Sequence, residues 1–392
     1  MTHHDGGWGI LSSQQDEDQA RAQAVSDPAA YHAAIAAKEL HWYDTSREQW
    51  VSQPSANAWQ GWHAVSGAEG SADADWTPWS SALDASAAPF YRWFVDGQTN
   101  ACFNLLDRHV LSGRGKKQAL VFEGDRWDPS KNEGRGGPVF EQRLNYRELL
   151  IEVALRARVL KSLDLSAGDR IALNLPNILE QIFYILAAQR LGVIYTPVFG
   201  GFSAKPLSDR IHDAGAKVVI TADGGYRNAE VVSYKSTYVD PALDNYVPRP
   251  AALKALSETL KSRLPADVAE RLEVQVTEAV AGEITLERAD VMRELGLALE
   301  RERGTAPEII AELRTTVASE LASVSHAVTN VIVVRYTGND IVEHSRDRWS
   351  HDLIAELEAE FLADAGVADR ASLDSLDDNA FWKAVGSAIP AV

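Results

Sequence analysis

The sequence holds a single cysteine, and its 38 basic residues are outnumbered by 56 acidic ones. Because Cys102 has no partner within the chain, an internal disulfide and a CxxC redox pair are excluded, which fits a reducing cytoplasm. The formal net charge of −18 argues against nucleic acid as the main partner and against an anionic membrane surface. No stretch approaches the roughly twenty apolar residues of a membrane-spanning helix. We therefore expect a cytoplasmic protein with neither nucleic-acid nor membrane partners.

Several functional motifs are missing as well. The sequence has no G-x-x-x-x-G-K-[ST] loop, no G-x-G-x-x-G after a strand, no H-E-x-x-H helix and no G-x-S-x-G elbow. No group of residues supplies a nucleophile, a base and oxyanion donors together. By themselves the residues predict a ligand-binding α/β lobe without a complete active site.

The clearest pattern is a strand–helix–strand unit. Residues 170–175 form a short aliphatic run, which predicts a buried strand. Residues 178–191 have helical apolar spacing, and Gly192 is placed to end that helix. Residues 193–199 predict a second strand. Because such a crossover makes its strands parallel, we expect an α/β fold with a parallel sheet flanked by helices.

Two glycine pairs follow strands of this predicted sheet. Gly200-Gly201 follows the second strand, and Gly224-Gly225 lies in a predicted loop at 222–227, after a third strand at 217–221. Since open α/β sheets bind ligands at the carboxyl ends of their strands, we expect the ligand site at the edge that both pairs share.

The chain divides into four predicted parts: a Trp-rich arm at 1–90, an α/β subdomain at 91–250, a helical insertion at 251–328, and a return to the α/β core at 329–392. The arm is irregular apart from a helix that runs to about Leu40, with Asp27 as its N-cap. We interpret it as a wrap anchored by aromatic burial. A surface that stacks sugars or bases is the alternative, which the lack of interleaved basic residues disfavours.

The insertion has no aromatic residue between Tyr246 and Tyr336, and its leucines and valines predict two to four amphipathic helices. A packed insertion and a docking surface for another domain are equally compatible with it.

In the last part, a strand is predicted at 330–336 and a helix from about Arg348. His344 and His351 have poor metal-ligand spacing, so surface or capping roles are favoured.

Polar residues crowd an otherwise apolar stretch at 90–110. They are Asn100, Asn104, Asp107, Arg108 and His109. Buried polar groups must be hydrogen-bonded, so we favour a structural network that ties the arm to the body. An acid/base or metal pair of Asp107 with His109 is the weaker alternative.

Two local features follow this stretch: a surface loop is predicted at 124–137, and Asn145 with Glu148 predicts a capping box.

Three segments together carry a family resemblance: WFVDGQTNACFNLLDRHV (93–110), YTPVFGGFSAKPLSDRI (195–211) and VIVVRYTGNDI (331–341). They resemble the acetyl-/propionyl-CoA synthetase branch of the adenylate-forming enzymes, over roughly 28–245 and 329–355. That family activates a carboxylate with ATP to an acyl-adenylate and transfers the acyl group to CoA. The insertion resembles the ligase portion of the multidomain propionyl-CoA synthase. The fold implied is the N-terminal half of the adenylate-forming large domain.

The resemblance also implies site residues. Phe199, Gly200 and Gly201 would line the CoA side, where glycines let a narrow pantetheine arm approach the backbone. Arg227 would contact the CoA nucleotide, and a guanidinium suits a phosphate. Where the family often continues with Gly-Gly-Lys, this chain has 228–230 as Asn-Ala-Glu, with an acid in place of the base.

The family's phosphate loop, adenylate segment, hinge acid and catalytic lysine are expected beyond Val392. The resemblance therefore implies an N-terminal ligase segment that is inactive alone, without catalytic residues or metal ligands of its own. The whole enzyme would use CoA, ATP and Mg²⁺, with 3-hydroxypropionate or propionate, or else acetate, as the small carboxylate. Its other partners would be downstream domains, and homo-oligomerisation is left open. The alternative is a non-catalytic module for CoA or nucleotide binding, or for assembly.

Overall fold

A computed structural model describes residues 13–46, 48–52, 63–64, 77–228, 230–302, 306–324, 326–386 and 389. The strands are β1 Trp42–Asp44, β2 Gln49–Ser52, β3 His63–Ala64, β4 Ser81–Asp84, β5 Arg92–Val95, β6 Gln118–Glu123, β7 Trp127–Asp128, β8 Gly137–Pro138, β9 Glu141–Asn145, β10 Arg170–Asn174, β11 Ile194–Pro197, β12 Val218–Ala222, β13 Gly225–Arg227, β14 Glu230–Val232, β15 Tyr246–Pro248, β16 Thr285–Glu287, β17 Asn330–Val334 and β18 Asp347–Trp349.

The helices are α1 Gln14–Ser26, α2 Pro28–Glu39, the short α3 Lys131–Gly134, α4 Tyr146–Ser162, α5 Leu179–Arg190, α6 Ala204–Ala214, α7 Asp240–Asp244, α8 Arg249–Arg263, α9 Ala266–Ala279, α10 Arg288–Arg301, α11 Pro307–Ser323, α12 Ser350–Asp364, α13 Arg370–Asp374 and α14 Asp378–Val385. Three π-helical turns lie at Phe103–Asp107, Val110–Arg114 and Lys235–Val239. No helix within the described ranges is both long and apolar enough to cross a bilayer.

The central sheet has the strand order β11-β10-β12-β17-β18, and every neighbouring pair in it is parallel. The predicted strand–helix–strand unit is therefore confirmed as β10, α5 and β11. Gly192 ends α5 at a φ of 67°, a left-handed conformation that glycine adopts without steric cost. The helix predicted from about Arg348 is confirmed as α12, which begins at Ser350, and residues 347–349 pair with β17 before it.

Helices cover both faces of this sheet. Ile171, Leu173 and Ile220 point to the layer of α4, α5 and α12, whereas Ala172 and Val219 point to α6 and α7. Because successive strand residues face opposite sides, central strands buried on both faces must be apolar almost throughout. The predicted fold class, a parallel α/β sheet flanked by helices, is confirmed. The capping box that starts α4 is also present.

Two segments predicted as loops contain short hairpins instead. Within 124–137, β7 pairs with β8 around the turn that contains α3. Within 222–227, residues 225–227 form β13, which pairs with β14 just beyond that range. Asn132 and Asn228 take positive φ values of 54° and 51° at these turns, as asparagine readily does. The loop predictions were wrong because pairing between very short strands leaves no hydrophobic period in the sequence.

Helices α8 to α11 confirm the predicted amphipathic helices of the insertion. They share a core of their own that includes Leu256, Leu272, Leu295 and Val317. The antiparallel pair of β15 and β16, which the sequence did not predict, brings this unit beside α6. There the Asp209 carboxylate accepts hydrogen bonds from the Thr285 amide and hydroxyl at 3.1 and 2.5 Å. The unit is thus fastened to the α/β body by polar contacts as well as by the chain.

The arm is more regular than predicted. Asp27 caps α2 through the Ala30 amide, as expected, but α1 and the antiparallel sheet of β1, β2 and β3 were not foreseen. Trp42 is buried against Trp79 and Phe94, which agrees with anchoring by aromatic burial. Trp8, Trp59, Trp62 and Trp76 lie outside the described residues.

A buried ion pair joins the 90–110 stretch to the body. Asp107 accepts two hydrogen bonds from Arg190, at 2.7 and 3.0 Å, and both side chains are fully buried. Trp382 donates to the same carboxylate at 2.8 Å, and Arg190 donates to the Ile389 carbonyl at 2.6 Å. His109 instead packs against the Tyr146 ring. The structural network is confirmed, and the Asp107–His109 acid/base or metal pair is not formed.

The substitution Asp107→Asn leaves the Arg190 guanidinium buried without its counter-ion. We expect it to lower the free energy of unfolding by about 3–5 kcal/mol, measured by urea denaturation at neutral pH. Glu141→Gln is the control, because its ion pair with Arg143 is exposed and such pairs contribute little. Equal effects of the two substitutions would contradict this role of Asp107.

The free energy of unfolding should also fall as the pH is lowered, because of the partly buried His41. Burial first, and the charge of Arg108 second, lower the pKa of His41 from 6.5 to about 4. The folded state therefore stays neutral at His41 while the unfolded chain takes up a proton, so this contribution is complete above pH 6.5 and is lost between pH 6.5 and about 4.

Unfolding midpoints measured across that range should drop more steeply for the wild type than for His41→Gln, which lacks the titrating ring. Parallel pH profiles for the two proteins would show that His41 has no part in the acid sensitivity.

Candidate functional site

The carboxyl ends of four parallel strands meet at one edge of the sheet. Pro176 follows β10, Gly200-Gly201 follows β11, Gly224-Gly225 follows β12, and Tyr336 to Gly338 follow β17. The order of the strands places β10 between β11 and β12. The prediction that both glycine pairs lie at the same edge is therefore confirmed.

Asp223 organises this edge. Its side chain is fully buried directly after β12. One carboxylate oxygen accepts hydrogen bonds from the amides of Gly224, Tyr336 and Thr337 at 2.7, 2.8 and 3.0 Å, and the other accepts from the Gly338 amide at 2.7 Å. The Thr337 hydroxyl adds a contact of 3.2 Å. The turn after β17 is thus held to the end of β12 through one side chain.

Gly224 has to be glycine because this turn packs on it. A Cβ atom there would lie 2.4 Å from the Thr337 hydroxyl oxygen and 2.8 Å from the Asn339 side-chain nitrogen. The first glycine of the 224–225 pair therefore serves the Asp223 turn and does not open a groove.

Tyr234, on the segment after β14, fills the space between the two glycine pairs. A Cβ at Gly200 would lie 2.4 Å from its hydroxyl oxygen, and a Cβ at Gly225 would lie 2.7 Å from its ring. The same Cβ at Gly225 would lie 3.0 Å from Pro176. The Tyr234 side chain thus lies against the turns that end β11 and β12.

Phe199 and Gly201 form the outer part of the edge. The Phe199 side chain is 71% exposed and lies edge-to-face with Phe202 at 5.7 Å between ring centroids. A Cβ at Gly201 would lie 2.5 Å from the Phe199 ring, so the aromatic ring folds back over its own glycine turn. Arg210 lies over the other face of this cluster, 4.8 Å from the Phe202 ring.

Arg227 lies exposed at the end of β13, where it is paired in register with Glu230 on β14. The two residues flank the turn at Asn228, so the acid stands beside the guanidinium on the same hairpin. The carboxylate lowers the positive potential at Arg227 for an incoming phosphate.

A separate cleft of about 290 Å³ opens beside Asp223's turn. It is lined by Gly124, Asp125, Arg126, Val139, Phe140, Tyr226 and Tyr336. Burial first, and Asp125 second, raise the pKa of Tyr336 to about 12, so its phenol stays neutral at physiological pH. Tyr226 and Arg227 are adjacent in β13 and hence point to opposite sides, which separates this cleft from the guanidinium.

The two histidines of the last part do not share a site. His344 lies 3.7 Å from Asp240, within a group that includes Asp244, whereas His351 lies 3.4 Å from Asp352. Arg346 makes a two-pronged contact with Asp244 at 2.8 and 2.9 Å, and Lys235 lies 2.9 Å from Asp240. Because both carboxylates already have cationic partners, we assign no metal to them.

Asp223 and Tyr234 were missed from the sequence. A carboxylate placed directly between a buried strand and a glycine pair was a usable signal for Asp223. Tyr234 gave none, because its role depends on a packing distance across two turns.

In Asp223→Asn an NH₂ group replaces one of the two acceptor oxygens. This NH₂ group is a donor and would face a backbone N–H that needs an acceptor. We expect Asp223→Asn to lower the free energy of unfolding by about 1–3 kcal/mol and to speed hydrogen exchange at 336–338. Asp377→Asn is the matched control, because among the described residues only one oxygen of Asp377 accepts, at the N-cap of α14. Unchanged exchange at 336–338 would contradict the role of Asp223.

Comparisons with known proteins agree with this architecture. The sequence model for AMP-binding enzymes matches residues 111–306, half of the chain. The model for the acetyl-coenzyme A synthetase N-terminus matches residues 68–105, which include the end of the arm. The match to the AMP-binding model extends over α8, α9 and α10.

Individual relatives show the same similarity. The chain is 45% identical to the acetyl-coenzyme A synthetase of Methylobacillus flagellatus over 168 residues, 43% of this chain and 24% of that protein. It is 46% identical to the synthetase of Wolinella succinogenes over 171 residues, with the same shares. With the synthetase of Rhodopirellula baltica it is 33% identical over 235 residues, 60% of this chain and 29% of that protein.

The matches span about a quarter of the length of the first two relatives. They confirm the predicted resemblance to acetyl-CoA synthetases, while the link to multidomain propionyl-CoA synthase stays a prediction. Since the AMP-binding model covers half of the sequence, the chain belongs to the AMP-binding enzyme family.

Proposed function

We propose that this chain forms the CoA-side part of an ATP-dependent acid–thiol ligase. Such a ligase activates a short carboxylate as an acyl-adenylate and then transfers the acyl group to CoA. The observation that carries the proposal is the match of both the AMP-binding model and the acetyl-CoA synthetase N-terminal model to consecutive parts of one chain. The shared edge of the two glycine pairs, with Arg227 beside it, supports a ligand site there.

Within that site we propose Phe199, Gly200, Gly201 and Arg227 as the CoA-contacting residues. The exposed Phe199 ring offers a face on which a nucleotide base or the pantetheine arm of CoA can lie. Arg227 offers a planar guanidinium for a phosphate. Because Glu230 stands opposite Arg227, we expect weaker phosphate binding than a basic residue there would give.

ATP and Mg²⁺ complete the proposed reaction, and we expect their ligands outside this chain. For the acid we propose 3-hydroxypropionate or propionate, with acetate as the third candidate because the relatives named above are acetyl-coenzyme A synthetases. Downstream domains of a longer polypeptide are the proposed macromolecular partners, and the cytoplasm is the proposed location.

A non-catalytic CoA-binding or assembly module is the second candidate. Helices α8 to α11, with a core of their own, favour an assembly role for that unit. The two functions differ in a pyrophosphate assay with ATP and each acid. A ligase segment requires the remaining domains for pyrophosphate release, whereas a non-catalytic module releases none even when they are added.

The charge balance at Arg227 gives a direct test by calorimetric titration with CoA. We expect Arg227→Ala to weaken binding about tenfold, in line with the loss of a charge-assisted hydrogen bond of roughly 1.5 kcal/mol. Glu230→Lys should tighten binding, because it replaces a repelling carboxylate with an attracting cation. Arg293→Ala, on the distant α10, is the control and should leave binding unchanged.

If CoA binds saturably and its affinity is the same in the Arg227→Ala and Glu230→Lys variants as in the wild type, the phosphate site lies elsewhere. A complete absence of CoA binding would remove the proposed function itself.

A further inference from the structure

Tyr234 stands at the centre of the proposed CoA edge. Its side chain takes the space that Gly200 and Gly225 leave free. A Cβ at Gly200 would lie 2.4 Å from the hydroxyl oxygen, and a Cβ at Gly225 would lie 2.7 Å from the ring. Any larger residue at either glycine would have to displace the ring. The two glycines are therefore fitted to this side chain, which the family resemblance did not assign to the site.

The hydroxyl of Tyr234 forms no hydrogen bond with any residue that the structure describes, although the side chain is partly buried. Burial, together with Tyr238, raises its pKa above 10.0, so at neutral pH it is an uncharged donor. A partly buried donor at a glycine turn is suited to an acceptor that arrives with a ligand.

The surroundings indicate which part of a CoA molecule fits. Tyr234 packs edge-to-face with Tyr238 at 5.3 Å between centroids, and Pro176 lies beside Gly225. These neighbours are apolar apart from the tyrosine hydroxyls, and Arg227 is the cation whose charge acts on Tyr234. Phosphates suit Arg227, whereas an uncharged chain with amide carbonyls suits these apolar neighbours and the Tyr234 hydroxyl.

We propose that Tyr234 contacts the pantetheine arm of CoA: its ring forms the wall of the groove, and its hydroxyl donates a hydrogen bond to an amide carbonyl of the arm. This inference rests on the proposed function. Tyr234 binds and positions the arm and takes part in no bond making or breaking.

The test compares two probes in calorimetric titrations of the whole chain: CoA, and adenosine 3′,5′-bisphosphate, which keeps the nucleotide phosphates but lacks the pantetheine arm. Tyr234→Phe removes only the hydroxyl and should weaken CoA binding about three- to tenfold. It should leave the affinity for the bisphosphate unchanged. Arg227→Ala should weaken both probes.

Tyr31→Phe is the matched control, since it removes a tyrosine hydroxyl from α2, outside the glycine edge, and both affinities should be kept. Unfolding midpoints of the variants check that the fold is intact. If Tyr234→Phe binds CoA as the wild type does, or weakens both probes equally, the pantetheine contact is wrong while the CoA site stands. If the wild type binds neither probe, the proposed function and this inference both fall.

Discussion

The edge of the sheet depends on one buried carboxylate, that of Asp223, which forms no ion pair with a described residue. Asp223 is stabilised instead by backbone amides of its own turn and of the turn after β17, at 2.7 to 3.0 Å. A buried ionised group without such donors costs several kcal/mol, so the two turns must adopt the geometry that satisfies it. Gly224, which Thr337 crowds, and Tyr336, which lines the cleft, are placed by that requirement. The sheet supplies the strands, and Asp223 fixes how their ends meet.

The glycines at this edge have a physical reason that differs from the expected one. The family resemblance implied that Gly200 and Gly201 let a pantetheine arm approach the backbone. In the structure the atoms nearest to a Cβ at Gly200 belong to Tyr234, and those nearest to a Cβ at Gly201 belong to Phe199. A ligand that bound at this edge would therefore meet the ring and hydroxyl of Tyr234, and not bare backbone. The proposed site keeps the same residues, but the group that would face the ligand is the Tyr234 side chain and not the glycine backbone.

Local rules predicted the fold well where the signal lies within one segment. The aliphatic run of β10, the cap at Asn145 and the terminating Gly192 each depend on near neighbours, and each was found as predicted. The hairpin at Arg227 and the strand β18 were missed because three-residue strands carry no period and gain stability only from pairing. The contacts of Asp107 with Arg190 and of Tyr234 with Gly200 join distant parts of the chain. For Asp107 the sequence predicted burial with partners and could not name the partner.

We propose the glycine edge, and not the neighbouring aromatic cleft, as the CoA site. Hydrogen–deuterium exchange of the chain, measured with and without saturating CoA, tests it most directly. The account predicts slower exchange at 199–202, 224–228 and 233–235, with residues 124–126 and 139–140 unchanged. Protection confined to the cleft segments, or no protection anywhere, would contradict it.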